Sequence, residues 1–277
     1  MPEGHTLHRL ASELDSRFAG DPVRASSPQG RFAEGAALLD GATFEDAEAY
    51  GKHLFGHFDT GRILHVHLGL YGTFLTAAAP PAPPRGAVRL RLTSRRATAD
   101  LRGPTACELF TPDQRVALLS RLGPDPLRDD ADPAAGWTAV HRSRRSLASL
   151  LMDQSVIAGI GNVYRAEVLY RQRLDPTAPG GRLTRAVWDD VWADLVELMH
   201  RGVRDGHIET LRPEHAPLAG AGMPRRYVYR RQGQPCLVCG TRIRTTEIEG
   251  RNLYWCPSCQ RRTGRRRMAP AGTASPR

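Results

Sequence analysis

The chain has 277 residues and a net charge of +10, from 39 lysine and arginine residues against 29 acidic ones. This length allows two or three small domains with a well-buried core, and no apolar run approaches the ~20 residues that a membrane-spanning helix needs. The N-terminus lacks a basic stretch followed by an apolar one, which disfavours a secretory signal and favours a cytosolic protein without membrane contact.

A leading helix followed by a β-rich region is predicted for the first part of the chain. Leu7, Leu10 and Leu14 recur at helical spacing within residues 1–16. Residues rich in β-branched and aromatic side chains then alternate with turns, which indicates strands. The predicted strands lie at residues 55–58, 62–68 and 88–92, with a Pro-rich loop at 77–86 and a short helix at 113–122.

The second part is predicted to be helical and to end in a small β module. Residues 123–136 are rich in Pro, Asp and Gly, which favours a linker, and a second linker is predicted at 213–224. The chain after residue 263 has the composition of a disordered tail. Helices are predicted at residues 147–154, 163–171 and 183–203, and the β module at 226–262.

Positive charge is concentrated near the end of the chain. Residues 225–267 contain twelve arginines against two acids, so this segment alone carries +10. Such a segment predicts a polyanionic partner, nucleic acid first, although a basic tail that aids solubility is the alternative. The only lysine of the chain is Lys52. The single lysine reflects either the base composition of the genome, which would favour arginine codons, or a chemistry that needs an amine whose pKa moves on burial.

Four of the five cysteines form two pairs, Cys236 with Cys239 and Cys256 with Cys259, separated by sixteen residues. Two such pairs supply four thiolates to one tetrahedral Zn²⁺. Because a four-sulfur site leaves no position for water, this zinc is expected to be structural, and no organic cofactor is predicted. Disulfides or a redox pair are the alternatives. Cys107 stands alone and is expected to be an ordinary buried thiol.

The N-terminus offers a nucleophile. If Met1 is removed, the chain begins with the secondary amine of Pro2, whose pKa of about 8 leaves a neutral fraction at physiological pH. This amine can condense with an aldehyde to an iminium, which then acts as an electron sink. Glu3 stands beside it as a candidate general acid or base. On the dipeptide alone, a chance start is the simpler interpretation.

Residues 158–162 (Ala-Gly-Ile-Gly-Asn) lie between two predicted helices. They lack the third glycine and the preceding strand of a dinucleotide-binding loop. A Gly-rich turn that opens a helix can still present N–H groups to a phosphate, and Asn162 would add a side-chain donor. A plain helix–helix turn is the alternative. The residues around Lys52 do not match a phosphate-binding loop, since Asp46 and His53 occupy the positions of the required Gly and Ser or Thr.

Two loops offer side chains to a nucleic acid. Leu70 and Tyr71 follow a predicted strand, where they could wedge into a base stack, although contacts within the loop are the commoner role. Arg251 is predicted near the tip of the hairpin that joins the cysteine pairs, within reach of a phosphate or groove. A solvated turn arginine is the alternative. His65 and His67 share a strand face without an evident third ligand and are interpreted as surface or packing residues.

Together these features resemble the formamidopyrimidine-DNA glycosylase and endonuclease VIII family, from Pro2 to about Gln260. The motifs that carry the resemblance are Pro-Glu-Gly at residues 2–4, Lys52, the 153–162 segment, and the two cysteine pairs with an arginine between them. The resemblance implies an α+β multidomain fold with a β-sandwich and leading helix, a helix–two-turn–helix domain and a zinc ribbon. The corresponding ranges are 1–122, a linker at 123–136, 137–224, 225–262, and a disordered basic tail at 263–277.

The resemblance also implies an activity, that of a bifunctional DNA glycosylase and AP lyase of base excision repair. Pro2 would attack C1′ of the damaged nucleotide, Glu3 would protonate the sugar oxygen, and the iminium would lead to β,δ-elimination. Lys52 would hold a phosphate or sugar, while Asn162 and Arg251 would clamp the backbone around the flipped nucleotide. The expected partner is DNA with oxidised bases or abasic sites, and the protein is expected to be a nucleoid-associated monomer.

The loop at residues 69–72 and the Leu-Tyr-Trp-Cys-Pro run at 253–257 resemble the endonuclease VIII branch, which prefers oxidised pyrimidines. Leu70 and Tyr71 would fill the space left by the flipped base, although Gly69 stands where a larger side chain often completes this wedge. The Pro-Glu-Gly-His-Thr start resembles an actinobacterial second-paralogue type. The alternatives are an oxidised-purine glycosylase on the same scaffold, a non-catalytic zinc-ribbon DNA-binding protein, and a redox or metal-buffer protein.

Overall fold

The computed structural model of the chain describes residues 2–80, 82–220 and 225–261. Within these ranges it contains an N-terminal β domain, a helical domain and a small hairpin module that carries the paired cysteines. This arrangement confirms the predicted α+β architecture. The predicted basic tail at 263–277 lies outside the described residues. In the described ranges no helix is both long enough and apolar enough to cross a membrane.

The N-terminal domain begins with helix α1 (Gly4–Phe18), which turns Leu7, Leu10 and Leu14 into the core at helical spacing, as predicted. The sheets follow it. The remaining elements of the domain are β1 (Asp21–Pro22), β2 (Arg24–Ser26), α2 (Ala33–Leu39), β3 (Thr43–Tyr50), β4 (His53–Phe58), β5 (Ile63–His67), β6 (Thr73–Ala78), β7 (Val88–Thr93), β8 (Ala97–Arg102), β9 (Ala106–Phe110) and α3 (Pro112–Leu119).

These strands form two antiparallel sheets, one in the order β1-β3-β4-β5-β9 and the other in the order β2-β7-β8-β6. In β7, Val88, Leu90 and Leu92 are buried while the residues between them are partly exposed, because successive side chains of a strand point to opposite faces. Apolar residues of both sheets and of α1 form one buried cluster. The N-terminal domain is therefore a sandwich covered by its leading helix.

The segment predicted as a linker is buried where it begins. Residues 123–127 are shielded from solvent, and their backbone bonds to the helical domain, with Gly123 N–H donating to Gln154 O (2.8 Å) and Ala158 N–H donating to Pro124 O (3.0 Å). A Cβ atom at Gly123 would lie 2.5 Å from the carbonyl carbon of Val156. The composition signals a turn, but it does not distinguish an exposed linker from a strap buried between two domains.

Four helices and a turn-rich stretch form the helical domain. The prediction of a helix through residues 147–154 is wrong at its end, because the Asp153 carboxylate accepts the Ser155 N–H and turns the chain. The last helix is capped by the Thr184 side chain and ends at Gly206, whose φ is +73°. The elements are α4 (Pro133–His141), α5 (Leu147–Leu150), α6 (Asn162–Arg171) and α7 (Arg185–Asp205), with 3₁₀ helices at Gly180–Arg182 and Pro213–Leu218.

The hairpin module contains β10 (Arg244–Ile248) and β11 (Arg251–Trp255), which pair antiparallel. Only Glu249 and Gly250 connect the strands, and both have positive φ (50° and 71°), as a type I′ turn requires. Arg251 therefore follows the tip directly, as the sequence predicts. Buried residues of this module, including Leu253, belong to the same apolar cluster as α6 and α7, so the module and the helical domain share a core.

Candidate active site

Pro2, the first described residue, lies at a cavity of about 550 Å³ that is bounded by all three parts of the molecule. The N-terminal domain contributes the chain start, the β3–β4 turn and the β5–β6 loop. The helical domain contributes the segment before α6, and the hairpin module contributes its tip. The structure thus brings together residues that are far apart in the sequence. Five of the predicted site residues line the cavity, namely Pro2, Glu3, Lys52, Leu70 and Arg251.

Glu3 is fully buried at the N-terminus of α6. Its carboxylate accepts three backbone N–H groups, from Val163 (2.8 Å), Gly161 (3.1 Å) and Tyr164 (3.3 Å). The first turn of a helix has free N–H groups and a partial positive charge, so it favours a carboxylate. The N–H groups that the Gly-rich turn was expected to offer to phosphate are therefore occupied by Glu3.

Opposing effects act on the Glu3 proton. Burial raises the pKa of its carboxyl, while the nearby Lys52 ammonium and the three backbone donors oppose this rise. A carboxyl in such surroundings retains a proton at a higher pH than an exposed glutamate does. Glu3 is therefore suited to donate a proton inside the cavity.

Lys52 lies in the β3–β4 turn, and its ammonium donates a hydrogen bond to the carbonyl of Ile160 in the segment before α6. Burial lowers the pKa of Lys52 to about 8, with Glu3 raising it and Arg251 lowering it further. The single lysine of the chain is thus placed where its charge changes near physiological pH. An arginine would stay charged at this position.

Three glycines allow the segments around the cavity to approach each other. Gly4 N–H donates to Gly159 O (2.8 Å), and a Cβ atom at Gly4 would lie 2.9 Å from Gly159 Cα. A Cβ atom at Gly51 would lie 3.0 Å from Ala158 Cβ, and both Gly51 and Gly159 have positive φ (57° and 86°). The Gly-rich segment 158–162 is consequently a close-packing element that fixes the chain start against α6.

Asn162 lies just behind the cavity wall. Its side-chain Nδ2 donates to Asn252 O (2.9 Å) in the hairpin, next to Arg251. Its Oδ1 accepts a hydrogen bond from the buried guanidinium of Arg165, which also donates to Asn252 O (3.3 Å). Burial, followed by the charge of Arg251, lowers the pKa of Arg165 to about 10. Asn162 and Arg165 together hold the hairpin tip at the cavity.

Arg165 and Arg145 line the cavity but were missed in the sequence analysis. Arg145 donates to Asp153 (2.6 Å) and lies 3.4 Å from Glu249 at the hairpin tip. Only the spacing of Arg165, three residues after Asn162 on a helix, could have indicated a shared face. The sequence around Arg145 holds no comparable signal.

Leu70 and Tyr71 lie in the loop between β5 and β6 and are 51% and 89% exposed. Leu70 reaches the cavity lining, whereas Tyr71 does not. Gly69 has a φ of +66°, and a Cβ atom there would lie 1.9 Å from the Thr105 hydroxyl oxygen. The absence of a larger side chain at position 69 therefore has a steric cause in this chain.

The four paired cysteines meet in one cluster, in which all Sγ atoms lie within 4.8 Å of one another. The Cys236–Cys259 and Cys239–Cys256 Sγ distances are 3.9 and 3.5 Å. A tetrahedral Zn²⁺ with bonds of about 2.3 Å requires sulfur–sulfur distances of ~3.8 Å, so the cluster fits the ion. The Tyr170 hydroxyl on α6 lies 3.0 Å from Cys236 Sγ, where it can hydrogen-bond a thiolate ligand.

Comparison with known proteins identifies three matching domain families. The formamidopyrimidine-DNA glycosylase N-terminal domain matches residues 1–107, and the formamidopyrimidine-DNA glycosylase H2TH domain matches residues 122–212. The zinc finger found in FPG and IleRS matches residues 233–262. These matches cover most of the chain and confirm the predicted order of a catalytic-type β domain, a helix–two-turn–helix domain and a zinc ribbon with one structural zinc.

Relatives are similar over nearly their whole length. Endonuclease 8 1 of Mycobacterium tuberculosis (strain ATCC 25618 / H37Rv) is 52% identical, over 94% of this chain and 100% of the relative. Formamidopyrimidine-DNA glycosylase of Methylococcus capsulatus is 32% identical, over 94% and 99%. The mycobacterial relative is numbered 1, so the finer prediction of a second-paralogue type gains no support from it and stays a prediction.

The fold is also that of a solved enzyme. Lactococcus lactis formamidopyrimidine DNA glycosylase, non-covalently bound to DNA that contains an AP site, superimposes with a TM-score of 0.79 at 22% identity, covering 94% of this chain and 100% of that one. With three domain families matched in order and a relative at 52% identity, the chain belongs to the formamidopyrimidine-DNA glycosylase and endonuclease VIII family of DNA glycosylases and AP lyases.

Proposed function

We propose that this protein excises oxidised pyrimidines from DNA with the N-terminal amine of Pro2 and then cuts the strand by β,δ-elimination. The observation that carries the proposal is the placement of Glu3. Its carboxyl is buried beside Pro2 on the first turn of α6 and lines the cavity together with Lys52. A nucleophile, a proton donor and a cation thus surround one space that is large enough for a nucleotide.

In this mechanism the Pro2 nitrogen attacks C1′ of the damaged nucleotide, and the bond from C1′ to the base breaks with its electron pair leaving on the base. The Pro2 nitrogen loses its proton as the new bond forms, and one proton neutralises the departing base. Glu3 protonates the ring oxygen O4′, so the sugar opens and an iminium forms between Pro2 and C1′. The iminium acidifies the C2′ proton. Loss of that proton breaks the bond from C3′ to the 3′ phosphate. A second elimination removes the C4′ proton and breaks the bond from C5′ to the 5′ phosphate, and water then hydrolyses the remaining iminium and frees Pro2.

The cationic residues would hold the DNA backbone during these steps. The Lys52 ammonium would contact a phosphate or the sugar, and Arg251 would contact a phosphate from the hairpin tip. Asn162 would join this clamp by exchanging its bond to Asn252 O for one to a phosphate oxygen. Leu70 and Tyr71, exposed on their loop, would occupy the space that the flipped nucleotide leaves.

The choice of pyrimidines rests on the 52% identical relatives named Endonuclease 8 1 and on the exposed loop at Leu70 and Tyr71. Oxidised purines are the second candidate, because solved proteins of the same fold are described in complexes with Fapy-dG and with carbocyclic 8-oxo-G. We further propose that the protein acts as a cytoplasmic, nucleoid-associated monomer whose partner is DNA containing such lesions or abasic sites.

Borohydride trapping on an oligonucleotide with one abasic site tests the chemistry. A covalent adduct that maps to Pro2, on a chain whose intact mass lacks Met1, is expected. A chain that carries extra residues before Pro2 is the matched control, because its proline nitrogen is an amide and should give no adduct. Absence of an adduct from a Met1-free protein that binds the DNA would contradict the proposal.

The role of Glu3 is tested by Glu3→Gln, with Glu13→Gln on the same helix as its control. Loss of base excision is expected for Glu3→Gln, with some strand cleavage retained at a preformed abasic site, because the sugar of such a site opens to its aldehyde form without the help of Glu3. Paired assays on duplexes with an oxidised pyrimidine or an oxidised purine determine the lesion class. Full excision by Glu3→Gln would exclude the acid role.

A further inference from the structure

One fully buried carboxylate near the cavity has no part in the mechanism above. Asp125 lies in the buried strap at residues 123–127 and has no solvent exposure. It does not line the cavity, so it cannot touch the nucleotide itself. An ionised carboxylate is costly to bury unless hydrogen bonds compensate it, which makes the partners of Asp125 informative.

Those partners come from three separate segments. Asp125 Oδ2 accepts the N–H of Gly51 (2.7 Å) and lies 2.7 Å from His8 Nε2, while Oδ1 accepts the N–H of Leu127 (3.0 Å). Gly51 immediately precedes Lys52 in the β3–β4 turn. His8 lies one turn of α1 after Gly4, in the helix that begins directly after Glu3. A single side chain thus connects the strap to both segments that carry the proposed reactive groups.

The turn before Lys52 depends on this contact. Gly51 has a positive φ of 57° and packs against the Gly-rich segment, where its Cβ position lies 3.1 Å from Gly159 N. The Tyr50 hydroxyl donates to Gly123 O (3.0 Å), which also holds the turn to the strap. Asp125 accepts the one backbone N–H that lies directly before Lys52, so its loss would remove a bond that holds the turn to the strap.

We propose that Asp125 is a positioning residue that holds the Lys52 turn and helix α1 together, so that the Lys52 ammonium points at the nucleotide beside Pro2 and Glu3. The catalytic consequence rests on the proposed role of Lys52 in the preceding section. The positioning itself is a property of the fold and can be measured separately.

A double-mutant cycle measures the catalytic consequence. Asparagine has nearly the same shape as aspartate but only one acceptor oxygen. In Asp125→Asn the NH₂ group must therefore face one of the backbone N–H groups that Asp125 accepts. In single-turnover cleavage of an abasic-site oligonucleotide we expect Asp125→Asn to be slower by on the order of 10-fold to 100-fold. In a Lys52→Ala background the same change should cause little further slowing, because the group that it positions is already absent.

Asp21→Asn is the matched control. Asp21 lies in the N-terminal domain and, like Asp125, is a buried carboxylate that does not line the cavity, but its partners are Arg95 and Arg96. Its substitution should lower the melting temperature without slowing cleavage. If Asp125→Asn slowed the Lys52→Ala enzyme as much as the unmodified enzyme, Asp125 would act on the whole fold and the positioning role would be contradicted.

The single lysine allows a readout that does not depend on activity. Protein grown with ε-¹³C-lysine has one such resonance, whose titration reports the pKa of Lys52 directly. In the intact protein burial holds this pKa near 8. Asp125→Asn should move the titration upward toward the ordinary value of ~10.4, whereas Asp21→Asn should leave it in place.

The cleavage rates and the lysine resonance together distinguish a failure of the proposed role of Lys52 from a failure of the inference about Asp125. If Lys52→Ala cleaves normally, the proposed role of Lys52 is wrong, and the resonance still decides whether Asp125 positions it. If the resonance of Asp125→Asn is unchanged, the inference itself is overturned. Should Asp125→Asn fail to fold, His8→Ala removes one partner of the same oxygen and is expected to shift the resonance in the same direction by a smaller amount.

Discussion

The carboxyl carbon of Glu3 lies 2.3 Å from the position that a Cβ atom would occupy at Gly161. No side chain fits at position 161 while Glu3 holds its three bonds to the start of α6. Gly161 has a φ of −120°, which other residues adopt readily, so space alone requires glycine here.

Gly161→Ala should therefore displace the Glu3 carboxylate and reduce base excision by on the order of 100-fold, because small misplacements of catalytic groups are costly. Excision from a lesion-containing duplex under single-turnover conditions measures this. Gly30→Ala is the control, since nothing lies within 4 Å of its Cβ position although its φ of +83° is strained for alanine. Normal excision by Gly161→Ala would show that the Glu3 position is not required.

The affinity for DNA should decrease as the pH rises through about 8. Burial lowers the pKa of Lys52 to about 8, so its ammonium is present below this pH and lost above it. Titrations of abasic-site DNA between pH 7 and pH 9 should show a larger decrease in the unmodified protein than in Lys52→Arg, which keeps the charge at position 52 while the amine of Pro2 loses its proton in both proteins. An equal decrease in both proteins would assign the effect to another group.

Replacing Arg251 by alanine should weaken DNA binding with little change in stability. Arg251 is exposed directly after the hairpin turn and lines the cavity, so its loss should remove the proposed phosphate contact and reduce the slope of log K against log salt by about 0.9. Arg244→Ala is the matched control, because Arg244 is exposed at the opposite end of the same hairpin. Equal affinities of the two variants would make Arg251 a bystander.

Chelation of zinc should disorder residues 225–261 and abolish DNA binding while the N-terminal sandwich stays folded. The sandwich has its own buried cluster, whereas the hairpin module shares a cluster with α6 and α7. We therefore expect the helical domain to loosen as well. Hydrogen exchange resolved by domain measures this, and loss of protection in β3 to β5 would contradict an independent sandwich.

Local patterns predicted much of this molecule. Two patterns among residues close in sequence were sufficient. One is the spacing of the two cysteine pairs, and the other is the helical spacing of Leu7, Leu10 and Leu14. Residue chemistry alone made Pro2, Glu3 and Lys52 candidates, and the motif resemblance then implied their roles. Residue types and spacing alone did not predict that these residues line one cavity, and they did not predict the hydrogen bonds around it.

The contacts that complete the site are long-range and were not predictable in this way. His8 and Asp125 are 117 positions apart, and Glu3 and Val163 are 160 apart. Composition predicted a linker at residues 123–136, because Pro, Asp and Gly favour turns whether or not the turn is buried. Only the packed structure reveals which of these turns carries a buried carboxylate.

The bond between Glu3 and the start of α6 has a consequence for the order of synthesis. In the proposed mechanism the amine of Pro2 reacts after Met1 has been removed, and Pro2 and Glu3 are made before the rest of the site. Residues 161–164, which hold the acid in place, are made some 160 residues later. The proposed pair of Pro2 and Glu3 therefore takes its final arrangement only after the helical domain has been made and has docked onto the sandwich.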